Sequence, residues 1–324
     1  MKQDEETRVY LSRYPRFAGK WIYEGYAKAW QSTPGFEVIH PTADAMDPEK
    51  YSYFFAFPIT EKHLKRKYIV HTPADTIGCR DALRAVERSQ KAFLFVQPKI
   101  FPHPWGSHNN FRCQVNEEII KELDKMDNVH LWTFANVNKD YYPQWTKKIN
   151  TIPLAFDSIG YKPQSVPKYK KFDISFVGGW ANNGFNEKQK IILDIFKQFK
   201  ESGLKCGFFV NKNLTHQQEC DLLANSKITL NIHDAYQRVL GLDTNERTFK
   251  SLGLNGAMVS DSVEQLSQLF PNVGTSLDPQ EIVNITKQYL EMPERELNDL
   301  KEKNKQNILE NHCYSNRVQQ LLSL

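Results

Sequence analysis

Two glycines follow a short apolar strand pattern in the second half of the sequence, a place where backbone can approach a bound molecule closely. The strand pattern covers residues 172–177, and Gly178, Gly179 and Trp180 come directly after it. A second apolar stretch, residues 227–234, turns polar only towards its end, at Asn231 and His233. Polar residues at the carboxyl ends of parallel strands face a ligand crevice. This pattern predicts a binding site at one sheet edge.

The segment that follows predicts a helix with an anion-binding start. Residues 244–253 form the helical pattern, with Thr244 or Asn245 as its cap. Free N–H groups and the helix dipole attract anions, and Arg247 in the first turn adds a cation. Glu246 is either a contact for a sugar or an ordinary first-turn carboxylate. Lys250, one turn later, is either solvated or paired with Glu246.

Three segments together resemble the C-terminal half of CgeB-like, group-1 glycosyltransferases. They are residues 245–249, the turn and strand at residues 256–261, and the ending at residues 312–318. The resemblance covers roughly residues 171–324. It implies an α/β protein of the GT-B fold, with two doubly wound Rossmann-like domains facing a cleft and a nucleotide-sugar bound by the C-terminal domain.

The resemblance also implies roles for individual residues. In that family an Arg-x-Phe-Glu segment opens the helix beside the nucleotide, and its carboxylate is expected to bind the ribose hydroxyls. Lys250 replaces that carboxylate here, so the sequence does not support ribose binding by that route. The expected donor contacts are Gly178, Gly179, Trp180, Asn231, His233, Thr244, Asn245, Arg247 and Lys250.

Alternating strand and helix patterns predict a second open α/β domain in the first half of the chain. The expected boundary lies in a segment rich in proline and lysine, giving an N-terminal acceptor domain at residues 1–155 and a C-terminal donor domain at residues 156–324. By analogy with similar enzymes, the last helix is expected to return to the first domain.

Candidate acceptor contacts lie after the strands of this first half. Arg13 belongs to the loop after the first strand, and His71 ends a later strand with Asp75 placed to cap the next helix. His71 is a candidate for guiding the acceptor hydroxyl or, alternatively, an ordinary strand-end residue. Catalytic roles are therefore assigned to His71, Glu246 and Arg247, and acceptor binding to Arg13 and Asp75.

The loop at residues 98–111 is long and aromatic, as recognition loops often are. Its Trp105 and Phe111 are expected to stack on an acceptor. His103 and His108 open the alternative of a metal site, but no third ligand has suitable spacing. The chain also lacks an Asp-x-Asp segment, so no metal and no other cofactor are predicted.

Composition favours a globular protein whose cysteines are reduced. The 324 residues carry a net charge of +4, which fits an anionic donor without indicating a nucleic-acid binder. Five cysteines without a Cys-x-x-Cys pair indicate neither disulfides nor zinc. No apolar run has the length of a membrane span, and we expect a cytoplasmic location.

The function predicted from these features is transfer of a sugar from a nucleoside-diphosphate sugar to an acceptor hydroxyl, without a metal and with retention of configuration. The acceptor is a glycan, a small molecule or modified DNA. Two alternatives remain open. One is a glycosyltransferase acting on a hydroxylated DNA base, with a basic cluster at residues 62–67. The other is a protein that binds nucleotide-sugars without catalysis.

Overall fold

The computed structural model describes most of the chain, in eight segments. These are residues 6–12, 17–40, 67–78, 80–97, 115–136, 142–180, 187–212 and 214–324. Three predicted acceptor residues, Arg13, Trp105 and Phe111, lie outside them, as do His103, His108 and residues 62–66 of the basic cluster. The chain divides into two compact units, one of residues 1–153 with 317–324 and one of residues 154–316.

The first unit is built on a parallel six-stranded sheet. Its strand order is β2-β1-β3-β4-β5-β6. Residues of β3 are buried along its whole length, as expected for a strand inside a parallel sheet that is covered on both faces. The strands are β1 (Thr7–Leu11), β2 (Phe36–Ile39), β3 (Tyr68–Pro73), β4 (Lys91–Phe95), β5 (Val129–Thr133) and β6 (Asn150–Thr151).

Three helices connect the described strands of this unit, and the end of the chain joins them. Lys91 Nζ donates to the carbonyl oxygen of Leu322 at 2.9 Å, and Arg317 Nε donates to that of Pro153 at 2.8 Å. These bonds attach the last segment to β4 and to the end of residues 1–153. The helices are α1 (Phe17–Gln31), α2 (Arg80–Arg88) and α3 (Glu117–Asp124), with α11 (Tyr314–Leu322) closing the chain.

The second unit contains a parallel five-stranded sheet in the order β11-β10-β9-β7-β8. Its core comprises buried aliphatic and aromatic side chains from the sheet and from the helices beside it, among them Phe176, Ile195 and Leu230. The strands are β7 (Ile174–Gly178), β8 (Cys206–Val210), β9 (Ile228–Asn231), β10 (Met258–Ser260) and β11 (Gly274–Thr275). The helices are α4 (Glu187–Glu201), α5 (His216–Asn225), α6 (Ala235–Leu240), α7 (Glu246–Leu254), α8 (Glu264–Leu269), α9 (Pro279–Glu291) and α10 (Glu294–Asn311).

Helix α7 has the boundaries that its sequence predicts. The side chain of Asn245 accepts a hydrogen bond from the Thr248 amide, so Asn245, and not Thr244, is the cap. The helix ends before Gly256, whose φ of +83° lies in the left-handed region that glycine adopts easily. Both ends of the predicted anion-binding helix are therefore fixed by local sequence.

No helix among the described residues has the length and the apolar character needed to cross a membrane.

Candidate functional site

A crevice is expected in the second unit between the carboxyl ends of β7 and β9. From β7 the chain goes to β8 on one side, and the next strand, β9, lies on the other side of β7. Such a reversal of strand order leaves a crevice outside the strand ends, where ligands bind in open α/β sheets. The predicted donor residues lie at these strand ends, in the segments that follow them, and in α7.

Arg247 bridges these two strand ends. Its Nε donates to the carbonyl oxygen of Val177 at 2.7 Å, and its Nη1 donates to that of Ile232 at 3.1 Å. The guanidinium also lies 4.9 Å from the centre of the Phe176 ring. No hydrogen bond from the described residues uses Nη2. These contacts orient the guanidinium, and both N–H groups of Nη2 are without an acceptor among the described residues.

Neighbouring side chains of the protein leave no room for a Cβ at Gly178 or Gly179. A Cβ at Gly178 would lie 2.5 Å from Arg247 Nη2, and one at Gly179 would overlap the Asn211 side chain. Asn211 Oδ1 accepts from the Trp180 amide at 3.2 Å, which fixes the path of the loop. The glycines therefore make room for Arg247 and Asn211, a role that the sequence alone did not predict.

Lys188 is a second cation at this crevice, and sequence reasoning missed it. Its Nζ lies 2.9 Å from Asp234 Oδ1 and 3.4 Å from the carbonyl oxygen of Ile232, which also accepts from Arg247. Burial lowers the pKa of Lys188, and Asp234 partly offsets this. A signal was present in the sequence: a lysine in the first turn of α4 opposes the helix dipole, which favours acidic residues there.

Asn231 and His233, both predicted to contact the donor, belong to a buried polar network. His233 Nδ1 donates to Asp261 Oδ1 at 2.6 Å, and its Nε2 is 2.8 Å from Thr244 Oγ1. Asn231 Nδ2 donates to Thr248 Oγ1 at 3.0 Å. All these side chains are at most 1% exposed. The structure thus places Asn231, His233 and Thr244 in a buried network after β9, and their contacts with the donor stay predictions.

The charge of Asp261 is stabilised inside this network. Burial raises the pKa of the Asp261 carboxyl, but the His233 ring and its hydrogen bonds outweigh that effect and lower the pKa below its ordinary value. Asp261 also accepts from the His233 amide at 3.0 Å. An ionised carboxylate therefore ties the end of β9 to the end of β10. Asn245 adds a further link, because its Nδ2 donates to the carbonyl oxygen of Ile232 at 3.1 Å.

Lys250 and Glu246 lie in a mostly buried ionic cluster between α7 and α5. Lys250 Nζ is 3.0 Å from Glu219 Oε1 and 3.9 Å from Glu246 Oε1. Glu246 Oε1 also accepts from the Tyr161 hydroxyl at 3.4 Å. The Tyr161 ring stacks on His216, with the two centroids 4.4 Å apart. Lys250 is therefore not solvated, and its bond to Glu219 holds α7 against α5.

The electrostatics of this cluster follow from its burial. Burial raises the pKa of Glu246, with Lys250 opposing the shift. For Lys250, burial alone would lower the pKa, but Glu246 and Glu219 raise it above its ordinary value. The lysine is thus charged at neutral pH. The predicted contacts of Glu246 with the transferred sugar and of Lys250 with the donor remain predictions.

His71 is enclosed in the core of the first unit. The side chain is 0% exposed, and its Nδ1 accepts from Trp30 Nε1 at 3.0 Å. The rings of Tyr26 and Trp132 lie against it, with centroids 4.7 and 5.4 Å away. Burial lowers the pKa of His71 to about 3. The imidazole is thus enclosed by neighbouring side chains, and the catalytic role of His71 stays a prediction.

Asp75 does not cap the helix that follows it. It lies inside a short 3-10 turn, Ala74–Thr76, while α2 begins only at Arg80. Its side chain is exposed. The capping role is therefore wrong, and acceptor binding by Asp75 remains a prediction.

Within the described segments, no group of three or more His, Cys, Asp or Glu side chains is arranged to hold a metal ion.

Residues 170–323 match the family model described as glycosyl transferase-like. A search of curated proteins finds no match to this chain. The family match confirms the predicted enzyme class, glycosyltransferase, for the half of the chain that contains Arg247 and the two glycines.

Several solved structures resemble the whole chain. Trehalose-6-phosphate synthase OtsA matches with a TM-score of 0.59 and 10% identity, covering 98% of each chain. A structure described as trehalose-6-phosphate from E. coli bound with UDP-2-fluoro glucose matches at 0.56, with 10% identity and 98% of each chain. The N-terminal domain of Candida albicans trehalose-6-phosphate phosphatase matches at 0.51 and 10% identity, covering 98% of this chain and 97% of its own. At this identity the matches establish the fold alone, and they confirm the predicted GT-B fold.

Proposed function

We propose that this protein transfers a sugar from a nucleoside-diphosphate sugar to an acceptor hydroxyl, and that the diphosphate binds between the ends of β7 and β9. The family match at residues 170–323 supports the reaction class, and the similar protein bound with UDP-2-fluoro glucose supports a nucleotide-sugar as the donor. A closer relationship to CgeB-like enzymes is proposed from the motifs of the second half.

The observation that carries this proposal is the state of the Arg247 guanidinium. Carbonyl oxygens at the ends of β7 and β9 orient it, yet they do not neutralise its charge. Burial lowers the pKa of Arg247, which means that the cation is poorly solvated. A desolvated cation whose Nη2 has no acceptor in the described part of the chain is stabilised by an anion, and charge-assisted bonds to phosphate are among the strongest in proteins.

The same arrangement suits the leaving group of the reaction. When the bond between the anomeric carbon and the phosphate oxygen breaks, the electron pair stays on the diphosphate, while the acceptor oxygen bonds to the carbon and loses its proton. Fixed cations and dipoles stabilise such developing charge most effectively. Arg247, Lys188 and the start of α7 supply them here. We propose a metal-independent reaction with retention of configuration.

The acceptor is proposed to be a hydroxyl of a glycan or small molecule. Arg13, Trp105 and Phe111 remain its predicted contacts. With His71 enclosed in the core, the acceptor proton is proposed to pass to the departing diphosphate and not to an imidazole.

Two measurements on the full chain test the proposal. Thermal denaturation with a panel of nucleoside-diphosphate sugars identifies the donor, because a ligand that binds only the folded state raises its stability. Release of nucleoside diphosphate is then followed with and without candidate acceptors. Binding together with release supports the proposal. A protein that binds a donor but shows neither transfer nor slow hydrolysis would be a sensor. Failure of every nucleoside-diphosphate sugar to bind would refute a nucleotide-sugar site.

A further inference from the structure

Lysines lie at the amino-terminal ends of strands in the second sheet, opposite the carboxyl ends where the donor site is proposed. Three neighbouring strands of this sheet are each preceded closely by lysine: Lys170 and Lys171 come before β7, Lys205 before β8 and Lys227 before β9. Lys168 lies in the 3-10 turn just upstream. All five are exposed. We call this set of five residues the lysine edge.

Backbone hydrogen bonds hold the lysine edge together. The Asp173 amide donates to the carbonyl oxygen of Lys205 at 2.8 Å, and the Lys227 amide donates to that of Phe172 at 3.0 Å. The starts of β8, β7 and β9 are therefore tied side by side. Their lysines form one surface and are not scattered over the unit.

The charge of this surface is largely uncompensated. Asp173 is the carboxylate within it, and it pairs with Lys227 at 2.8 Å. The other four ammonium groups make no ion pair with a described residue. The five lysines and Asp173 together carry +4, the same net charge as the whole chain. This local excess of positive charge creates an attractive field for anions at the lysine edge.

Two aromatic rings lie beneath the lysines. Lys168 Nζ is 4.9 Å from the centre of the Tyr169 ring, and Lys171 Nζ is 5.3 Å from that of Phe172. The two rings stack on each other, with centroids 6.5 Å apart. Both are half-buried. Aromatic side chains with nearby lysines are favoured where a protein meets the interface of a lipid bilayer.

From these observations we propose that the lysine edge binds the surface of an anionic membrane. The second unit contains no arginine between residues 154 and 237, so the edge offers compact charges without the planar fork that selects single phosphate groups. Clustered lysines match the diffuse negative potential of a bilayer, which attracts each basic residue near it. The length of β7, about 16 Å, separates the lysine edge from the strand end that Arg247 contacts. Membrane binding at the lysine edge therefore leaves the donor crevice open.

Co-sedimentation of the full chain with vesicles tests this proposal. The vesicles contain phosphatidylcholine alone or phosphatidylcholine mixed with phosphatidylglycerol. We expect binding to the mixed vesicles only, and its loss when salt is raised from about 0.1 M to about 1 M, since screening then acts within about 3 Å. Equal binding to both vesicle types, or none to either, would refute the proposal.

A pair of matched variants assigns the binding to this edge. Lys170, Lys171 and Lys205 are changed together to Gln, and the control changes Lys148, Lys287 and Lys303 to Gln, with the same loss of charge. We expect the first variant to bind mixed vesicles at least about tenfold more weakly and the control to bind like the parent protein. Equal weakening in both would show a non-specific charge effect and overturn the assignment.

Two further readouts complete the test. Duplex DNA is offered in place of vesicles, and tight, lysine-dependent binding to DNA without vesicle binding would identify a nucleic-acid surface and refute the proposal. Release of nucleoside diphosphate in solution is expected to be unchanged in the first variant, because Lys170, Lys171 and Lys205 precede the strands whose carboxyl ends form the donor crevice. This separates failure of membrane binding from failure of the proposed enzymatic function.

Discussion

Arg247 Nε donates to the carbonyl oxygen of Val177 at 2.7 Å, and this bond joins the first turn of α7 to the end of β7. The guanidinium is thereby fixed at the switch in strand order by backbone oxygens, whose positions do not depend on side-chain rotamers. With the Ile232 carbonyl bound to Nη1, the direction of Nη2, which has no acceptor within the eight described segments, is set by the fold itself. Such preorganisation is what stabilisation of a developing charge requires.

Replacing Arg247 with Ala is expected to weaken donor binding by about 1.5–3 kcal/mol, the range for a hydrogen bond to a charged group. Titration of the nucleoside-diphosphate sugar measures the effect. Arg238→Ala is the matched control, since that arginine pairs with Asp261 at 3.7 Å and belongs to α6. Equal effects of the two substitutions would remove Arg247 from the site.

Gly178→Ala is expected to lower donor affinity while the protein remains folded. The new methyl group would meet Arg247 Nη2 at 2.5 Å, and the flexible end of the arginine can shift to relieve the contact. That shift moves the free donors away from the diphosphate. Gly78→Ala, where nothing lies within 4 Å, is the control for the added methyl group. Donor affinity and thermal stability are measured for both, and an unchanged affinity in Gly178→Ala would contradict the assigned geometry.

Lys250→Met is expected to destabilise the protein by about 3 kcal/mol or more, because it leaves the Glu219 and Glu246 carboxylates mostly buried without their cation. Adding Glu219→Gln should recover part of the loss. Urea denaturation gives the free energies of unfolding. Lys227→Met removes a lysine from a more exposed pair and should cost at most about 1 kcal/mol. If the destabilisation of the double variant equals the sum of the Lys250→Met and Glu219→Gln effects, the two side chains are not energetically coupled.

Acid is expected to destabilise the first unit through His71. Its pKa is about 3 in the folded state, whereas the unfolded value is about 6.5, so the unfolded chain binds the proton more readily. The stability contributed by neutral His71 is complete above about pH 6.5 and falls by about 1.4 kcal/mol per unit as the pH drops towards 3. His71→Gln, which can still accept from Trp30, should flatten this dependence. The free energy of unfolding is measured by urea denaturation at steps of about one pH unit between about pH 4 and about pH 7. The same pH dependence in His71→Gln and in the parent protein would contradict the assignment.

Turnover is expected to survive excess EDTA, because cationic side chains are proposed to neutralise the diphosphate. The release of nucleoside diphosphate is compared before and after chelation. Complete loss that magnesium or manganese restores would instead point to a metal site, with His103 and His108 as candidate ligands.

The sequence by itself determined the order of strands and helices and the ends of α7. Apolar runs of strand length alternate with amphipathic helical patterns, and these periodicities depend on local geometry alone. The same holds for the Asn245 cap and the turn at Gly256, since each depends on a few neighbouring residues. Gly178, Gly179 and Arg247 were accordingly found as candidates from the strand and helix that carry them.

Only the tertiary structure decided which polar side chains are free to act. His71 and His233 resemble site residues in the sequence, because each lies at or near the end of an apolar strand. Their partners, Trp30 and Asp261, are distant along the chain, and these contacts bury both rings. Lys250 likewise finds its closest carboxylate on another helix, at Glu219. Hydrogen-bond donors are satisfied by whatever the fold brings near them, so availability for a ligand is a property of packing, which residue types and spacing do not encode.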